Sequence, residues 1–208
     1  MKLIIGIPTL NRADLLNEAL EKYFEDFQET EIFIVDNGNQ SIITREEKFA
    51  IYRPTENLGV AKSWNTIMDY AEKVEATHVL MLNDDIYLGK TEHGIKVLLK
   101  SNENADFINS FHNWCSYILT VDAWKKAGKF DEEFFPAYFE DNSFDYKMTL
   151  IGAKKEWTSF LDPFTYRKSM TIAKDPTINN RFALNRQMYI NMWGGLPTEE
   201  KYLTKFNK

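Results

Sequence analysis

Residues 77–88 read Thr-His-Val-Leu-Met-Leu-Asn-Asp-Asp-Ile-Tyr-Leu. The apolar run ends abruptly at two adjacent carboxylates, Asp84 and Asp85. A run of this length and composition predicts a strand buried on both faces, and buried strands of parallel sheets end at the edge where ligands bind. Two carboxylates side by side repel each other, and a divalent cation holding phosphates would offset that cost. Taken alone, an Asp pair at a strand end is more often a solvated turn, so the rest of the chain has to decide.

Outward from this strand, the first half alternates strand and helix. Lys2–Ile7 is a short β run, and Arg12–Phe27 carries Leu15, Leu16, Ala19, Leu20 and Phe24 at helical spacing. Glu31–Val35 and Phe49–Arg53 are the next strands, and Leu58–Glu72 is a helix with Trp64, Ile67, Met68 and Ala71 inward. Thr77–Leu82 is the fourth strand. This order predicts an α/β fold, Rossmann-like, with a mostly parallel central sheet flanked by helices in a single domain. In the second half the spacing predicts a helix over Thr91–Lys100, strands over Ala105–Asn109 and Trp114–Val121, and a short helix over Asp122–Ala127. A helix over Asn142–Ile151 follows, with Gly152 just past its end, then one near Asn179–Met192. Between Lys154 and Asn179 the pattern is not readable.

Composition narrows the function. The chain has 208 residues, 44% hydrophobic and 14% aromatic, which fits a folded globule with a substantial core. Its formal net charge of −6 argues against nucleic acid as a partner. There is no stretch of about eighteen apolar residues, hence no transmembrane segment. The opening run is too short for a signal peptide, since Asn11, Arg12 and Asp14 follow at once. Cys115 is the single cysteine, so an internal disulfide and a cysteine zinc cluster are excluded. A cytoplasmic setting is the simplest expectation, with peripheral membrane contact open. Cys115 reads as a small buried residue.

Four polar clusters fall just after four strands: Pro8-Thr9-Leu10-Asn11-Arg12, Asp36-Asn37-Gly38-Asn39, Asn57-Leu58-Gly59 and Asn83-Asp84-Asp85. Each alone has a plain structural reading, as a turn or a helix cap. In a parallel sheet all four share one edge, and their conjunction is what points to a ligand site. Familiar alternatives are missing. There is no Gly-x-Gly-x-x-Gly after the first strand and no Gly-x-x-x-x-Gly-Lys-Ser/Thr. A Gly-x-Ser-x-Gly elbow and a His-Glu-x-x-His are absent as well. The three histidines, His78, His93 and His112, lack ligand spacing. A fifth cluster, Phe134-Phe-Pro-Ala-Tyr-Phe-Glu-Asp-Asn, runs aromatic residues into Glu140 and Asp141. Desolvation there would raise a carboxylate's pKa and suit a general base; the same residues are also what a helix N-terminus attracts.

Together these motifs resemble a nucleotide-sugar glycosyltransferase of the GT-A fold, most similar to the inverting enzymes of family 2. The resemblance rests on Ile-Gly-Ile-Pro-Thr-Leu-Asn-Arg at the first strand and Asn-Leu-Gly-Val-Ala-Lys-Ser-Trp-Asn over 57–65. It rests equally on Asn83-Asp84-Asp85 at the DXD position and Tyr-Phe-Glu-Asp with Gly152 twelve residues after Glu140. It spans roughly residues 1–160, with a nucleotide-binding half of about 1–88 and an acceptor-binding half of about 89–208. The chain is similar also to small GT-A domains encoded by some large DNA viruses. The resemblance implies that Thr9 and Asp36 contact the base with Arg12 close by, and that Asn57 and Lys62 lie near the ribose or diphosphate. Asp84 would face the ribose and Asp85 would bind Mn²⁺ or Mg²⁺. Pro8, Asn11, Gly59 and Asn83 complete the nucleotide-sugar set. Asp141 is the implied base, with Glu140 as its alternative, and Trp114, Tyr117, Phe135 and Tyr138 are candidates to stack on the acceptor sugar.

Three departures bear on the metal and the base. Asn83 stands at the first DXD position, Ser143 stands where an acid usually follows the Glu, and Tyr166-Arg167-Lys168-Ser169 occupies the region of a late metal-binding histidine. Arg167 and Lys168 would instead neutralise the diphosphate. The expected activity is inverting, metal-assisted sugar transfer from a UDP-sugar to a glycan or glycoconjugate acceptor, hexosyl and rhamnosyl donors both being open. Two rivals are a non-catalytic nucleotide-sugar-binding module and a metal-dependent phosphohydrolase. The second lacks a phosphate-accepting nucleophile at the first strand. The C-terminal stretch, Trp193-Gly-Gly-Leu-Pro followed by Lys201, Lys205 and Lys208, reads as a solvated tail, with an acceptor-side lid, a membrane-surface patch or a boundary to a lost domain as alternatives.

Overall fold

The computed structural model describes residues 1–110, 113–160 and 176–208. His112, Arg167 and Lys168 lie outside the described residues. The strands are β1 (Leu3–Thr9), β2 (Glu31–Asp36), β3 (Phe49–Tyr52), β4 (His78–Leu82), β5 (Phe107–Asn109), β6 (Ser116–Thr120) and β7 (Lys155–Trp157). They form one sheet in the order β3-β2-β1-β4-β6-β5-β7. Strands β1 to β4 pair in parallel, as the alternation predicts. Strand β6 runs against both β4 and β5, while β5 and β7 are parallel, so β6 alone is reversed. The extra strand is β7, in the region where the sequence pattern fades: two of its three residues are exposed at the sheet's edge, so it carries no buried apolar signature.

The helices are α1 (Ala13–Asp26), α2 (Gly59–Lys73), α3 (Glu92–Ser101), α4 (Val121–Ala127), α5 (Glu140–Leu150) and α6 (Phe182–Trp193). Most bounds agree with the periodicity to within a residue or two. Helix α5 begins two residues earlier than Asn142, which places Glu140 and Asp141 inside its first turn. None of the described helices is long and apolar enough to cross a membrane.

Alternation along the strands builds a three-layer molecule. Ile5 and Ile7 of β1, with Ile32, Ile34, Leu80 and Leu82, pack against Leu16, Leu20 and Tyr23 of α1 and Ile95 and Leu99 of α3. Ile4, Phe33, Val35, Val79 and Met81 face the other way, onto Trp64, Ile67 and Met68 of α2 and onto Trp124 and Phe144. Helix α2 lies so close to β1 that a Cβ on Gly6 would stand 2.3 Å from Ile67 Cγ2. A third cluster of Phe134, Phe139, Tyr189, Met192 and Trp193 ties α6 to the approach to α5.

The C-terminal stretch is not the solvated tail that its lysines suggest. Lys205 Nζ reaches the buried Asp131, which also accepts from Ser143 Oγ at 2.5 Å and Lys147 Nζ at 3.2 Å. Tyr146 donates to the Tyr202 carbonyl at 3.0 Å, and the amides of Lys201 and Tyr202 donate to the Trp193 carbonyl. The tail therefore straps α5 to α6. A lysine run reads as solvated unless the buried acid it meets, here 74 positions away, is known.

Asn65, at the end of the 57–65 motif, is 2% exposed and entirely engaged. Its Nδ2 donates to the Phe130 carbonyl and Glu132, both at 2.9 Å, and its Oδ1 accepts from the Phe130 amide at 2.9 Å and Trp124 Nε1 at 3.3 Å. Replacing it by leucine strands several buried polar groups, each costing about 1–3 kcal/mol. Asn65→Leu is expected to lower the free energy of unfolding by about 2–4 kcal/mol in urea titration; a loss under about 0.5 kcal/mol, the range of neutral surface changes, would contradict this role.

Candidate active site

The ends of β1, β2 and β4 and the starts of α2 and α5 surround one cavity of about 410 Å³, within the usual range for small-molecule sites. On the strand side it is lined by Pro8, Thr9 and Leu10, by Asn37, and by Asn83, Asp84 and Asp85. Asn57, Gly59, Val60, Ser63 and Trp64 contribute from α2 and its approach, and Trp114 and Cys115 from the turn before β6. Pro136 to Asn142 close it on the α5 side, including Tyr138, Glu140 and Asp141, with Ile178 and Phe182 beyond them. Two carboxylate pairs that lie far apart in sequence thus share one space.

Register explains the strand side. Thr9 and Asp36 are the last partners of β1 and β2, and the Asn37 amide donates to the Thr9 carbonyl at 2.9 Å. Thr9 Oγ1 donates to Asp84 Oδ2 at 2.8 Å, joining the ends of β1 and β4. Both aspartates of the pair are buried, Asp84 at 6% and Asp85 at 3% exposure. Burial pushes the Asp84 carboxyl up to about 7; the neighbouring Asp85 charge adds to this, while the Thr9 hydroxyl, the Leu10 amide and the Arg12 charge pull it back. The carboxyl therefore holds a proton more readily than an exposed aspartate does, and positive charge beside it acts in the opposite direction.

The helix side depends on Gly59. Its φ of 71° lies in the left-handed region, and a Cβ there would meet Phe135 Cδ2 at 2.8 Å and the Pro136 carbonyl oxygen at 2.9 Å. The Val60 amide donates to that same Pro136 carbonyl at 2.8 Å, and Asn57 Oδ1 accepts from the Gly59 amide at 2.9 Å. Asn37 links the two walls: its Oδ1 accepts from the Leu58 amide and its Nδ2 donates to Ser63 Oγ, both at 2.9 Å.

On the α5 side, Tyr138 and Phe139 have φ of 78° and 75°. Non-glycine residues held there cost about 1–3 kcal/mol each, and such strain concentrates at functional sites. Glu140 and Asp141 follow in the first turn of α5, where the helix dipole favours negative charge. Burial nevertheless pushes both carboxyls up, Glu140 well up with the Asp141 charge adding to it. Asp141 Oδ1 accepts from the Asn142 amide at 2.7 Å. Glu140 Oε2, Tyr117 OH and Trp64 Nε1 are buried without a hydrogen-bond partner among the described residues.

Several expected residues lie elsewhere. Asp36 is fully buried behind the wall, its oxygens taken by the Gly38 and Gln40 amides, Gln40 Nε2 and Arg53 Nε; it shapes the turn after β2. Arg12 is buried and paired with Asp14 through Nε at 3.1 Å. Asn11 and Lys62 are exposed and do not line the cavity. Tyr117 is completely buried in the aromatic core with Trp64, Phe107 and Trp114, so it is core and not a stacking surface. Cys115 is half-buried and lines the cavity. Asn37, Ser63, Asn142, Ile178 and Phe182 are wall residues that the sequence reading did not single out. The first three sit inside motifs already quoted, Ile178 lies in the stretch with no readable pattern, and Phe182 lies within the helix expected near Asn179–Met192.

With this arrangement in view, the model of glycosyl transferase family 2 matches residues 4–190. The chain belongs to that family. None of the curated proteins compared with it matches its sequence. Among solved structures it is similar to TarS 1–349 from S. aureus in complex with UDP-GlcNAc, with a TM-score of 0.63 and 14% identity over 89% of this chain and 66% of that one. The UDP complex of the same protein gives 0.61 and 13%, over 77% of this chain and 60% of that one. A longer TarS gives 0.58 and 16%, over 92% of this chain and 43% of that one. The chain thus spans between 43% and 66% of the TarS chains it resembles. At these identities the likeness shows the fold, and the fold is GT-A, as expected.

Glu140 supplies a test of the site's electrostatics. Its folded pKa lies above the unfolded value, so protonation stabilises the fold at low pH and that contribution is lost as pH rises from about 4.3. Glu140→Gln keeps the shape without the ionisable group. Its melting temperature is expected to match the parent near pH 4 and to exceed it measurably at pH 8. A difference that does not change with pH would rule this account out.

Proposed function

We propose that the chain transfers a hexosyl or rhamnosyl unit from a UDP-sugar to a hydroxyl of a glycan or glycoconjugate acceptor, with inversion. The observation that supports this reading is the shared cavity: Asp84 and Asp85 enter it from the end of β4, and Glu140 and Asp141 from the start of α5. One pair suits a leaving diphosphate, the other an attacking hydroxyl. UDP is the nucleotide proposed for this chain because TarS, a structure of the same fold, is recorded with UDP and UDP-GlcNAc.

In the donor half, about residues 1–88, Pro8, Thr9, Asn57, Gly59, Asn83 and Asp84 frame the nucleotide and its ribose. No group of three or more His, Cys, Asp or Glu side chains gathers into a metal site among the described residues. The pair at Asp84 and Asp85 still fits Mn²⁺ or Mg²⁺, since such ions use one or two carboxylates and complete their shell with substrate phosphates and water. Asp85, supported by Asp84, would hold the ion, which when bound supplies Lewis-acid stabilisation of the diphosphate charge. Arg167 and Lys168 are proposed as further cations for that diphosphate.

In the acceptor half, about residues 89–208, Asp141 takes the proton from the acceptor hydroxyl as its oxygen bonds to the anomeric carbon. The bond from that carbon to the diphosphate oxygen breaks, UDP leaves with the electron pair, and attack opposite the leaving group inverts the centre. Burial favours this role because a base with a raised pKa binds the transferred proton more firmly. Glu140 is the alternative base, and Trp114 and Tyr138 line the side where the acceptor would stack.

UDP release from a UDP-sugar panel, with purified protein and glycan acceptors, is the direct test. Asp141→Asn is expected to reduce turnover by about 10²–10⁴-fold, and unchanged turnover would move the base elsewhere. Because the carboxylate must be ionised to accept a proton, kcat/KM falls as pH drops. The raised pKa puts that acid limb above the ordinary aspartate value of about 3.9. Asp85→Asn is expected to weaken UDP binding in titration calorimetry with Mn²⁺ present, and an isotherm equal to the parent's would remove Asp85 from the metal role.

A further inference from the structure

The start of α6 reaches the cavity with a feature that the donor and base roles leave unused. Phe182, its first residue, lines the cavity yet keeps 46% of its surface exposed. Its ring stands edge-on to Tyr138, with centroids 5.2 Å apart at 76°, and tilts against Phe139 at 5.4 Å. Ile178 lines the cavity beside it, and Asn142 supplies an amide to the same wall.

This corner is built on the strained backbone at Tyr138 and Phe139, and a backbone in that region persists only where its surroundings over-determine it. Asn185 does so. It is 1% exposed, and its Nδ2 donates to the carbonyls of Ala137 at 2.8 Å, Phe134 at 3.1 Å and Tyr138 at 3.4 Å. One side chain on α6 thereby holds the segment that runs into Glu140 and Asp141, and Tyr138 OH donates to Asn179 on the same side.

We propose that the start of α6 is the acceptor subsite: the Phe182–Tyr138 corner takes the apolar C–H face of a pyranose ring, and Asn185 is the positioning residue that keeps this corner beside Asp141. The inference rests on the transferase reading and goes further in naming where the acceptor sits and which of its faces is bound. A pyranose combines an apolar face with hydroxyls at its edge, matching an aromatic corner with amides near it. The corner shares its segment with the proposed base and not with the strand ends, so it suits the sugar that is attacking, not the one that leaves.

Saturation-transfer NMR with the methyl β-glycosides of glucose, galactose and N-acetylglucosamine, in the presence of UDP and Mg²⁺, tests the subsite. The parent protein is expected to transfer saturation to ring C–H protons of at least one glycoside. Phe182→Ala is expected to weaken that glycoside's affinity about three- to tenfold, and Phe182→Trp to restore it. Asn185→Asp, which keeps size but removes the donors, is expected to lower kcat and glycoside affinity while UDP affinity stays at the parent value. Equal losses of UDP and glycoside affinity would reduce Asn185 to a fold-supporting residue and overturn its positioning role. If UDP does not raise the parent's melting temperature, the transferase reading itself falls. If UDP does so but no glycoside responds, or Phe182→Ala responds as the parent does, the acceptor subsite alone is overturned.

Discussion

The backbone of Pro136 lies directly on that of Gly59, and the cavity exists because of that contact. The Val60 amide donates to the Pro136 carbonyl at 2.8 Å, at a position where any Cβ on Gly59 would clash. The chain before α5 is thereby brought against the N-terminus of α2, whose other contacts run through Asn37 and Ser63 to the end of β2. Strand ends and the start of α5 become two walls of one space. A parallel sheet alone would give an open edge; the joint at Gly59 gives it a second side.

Legibility in the sequence follows how local each signal is. Strands β1 to β4 and helices α1 and α2 were readable because each buries a face with its own period, 2 or 3.6. The motif clusters at their ends were readable for the same reason, since a parallel arrangement sends them to one edge. Strand β7 was not, because a three-residue edge strand that is mostly exposed leaves no periodic trace. Asn185 was not either. A buried asparagine on α6 looks like any other polar helix residue until the three carbonyls it meets, some 47–51 positions earlier, are in place. Lys205 reads as solvent-facing in the sequence because its partner Asp131 is more remote still, 74 positions away.

Asp36 shows the same limit from the other direction. The resemblance to family 2 implies a base-contacting acid at this position after β2, whereas the residues alone read as a turn. The fold instead surrounds its carboxylate with the Gly38 and Gln40 amides, Gln40 Nε2 and Arg53. Those partners come from a short turn and from the end of β3, and none of their identities alone announces the geometry. The residue that reaches the cavity from that turn is its neighbour Asn37.

Hydrogen-bond accounting therefore separates scaffold from site better than residue type does. Asp36 and Asp131 are as buried as any carboxylate among the described residues, and both are surrounded by donors. A buried charge so satisfied is a structural element, and neither lines the cavity between β4 and α5. Glu140 does line it, with one oxygen lacking any partner among the described residues, and burial raises both Glu140 and its neighbour Asp141. Asp84 is held by Thr9 yet remains displaced to about 7 by burial. A fold selected for stability alone would supply a donor to Glu140 Oε2, or replace the residue, as donors are supplied at Asp36. The aromatic core behind Trp64 and the strap between α5 and α6 hold the walls around these raised carboxyls. The unpartnered Glu140 oxygen and the raised carboxyls of Glu140 and Asp141 are what the α5 wall offers to a proton or a hydrogen-bond donor entering the cavity.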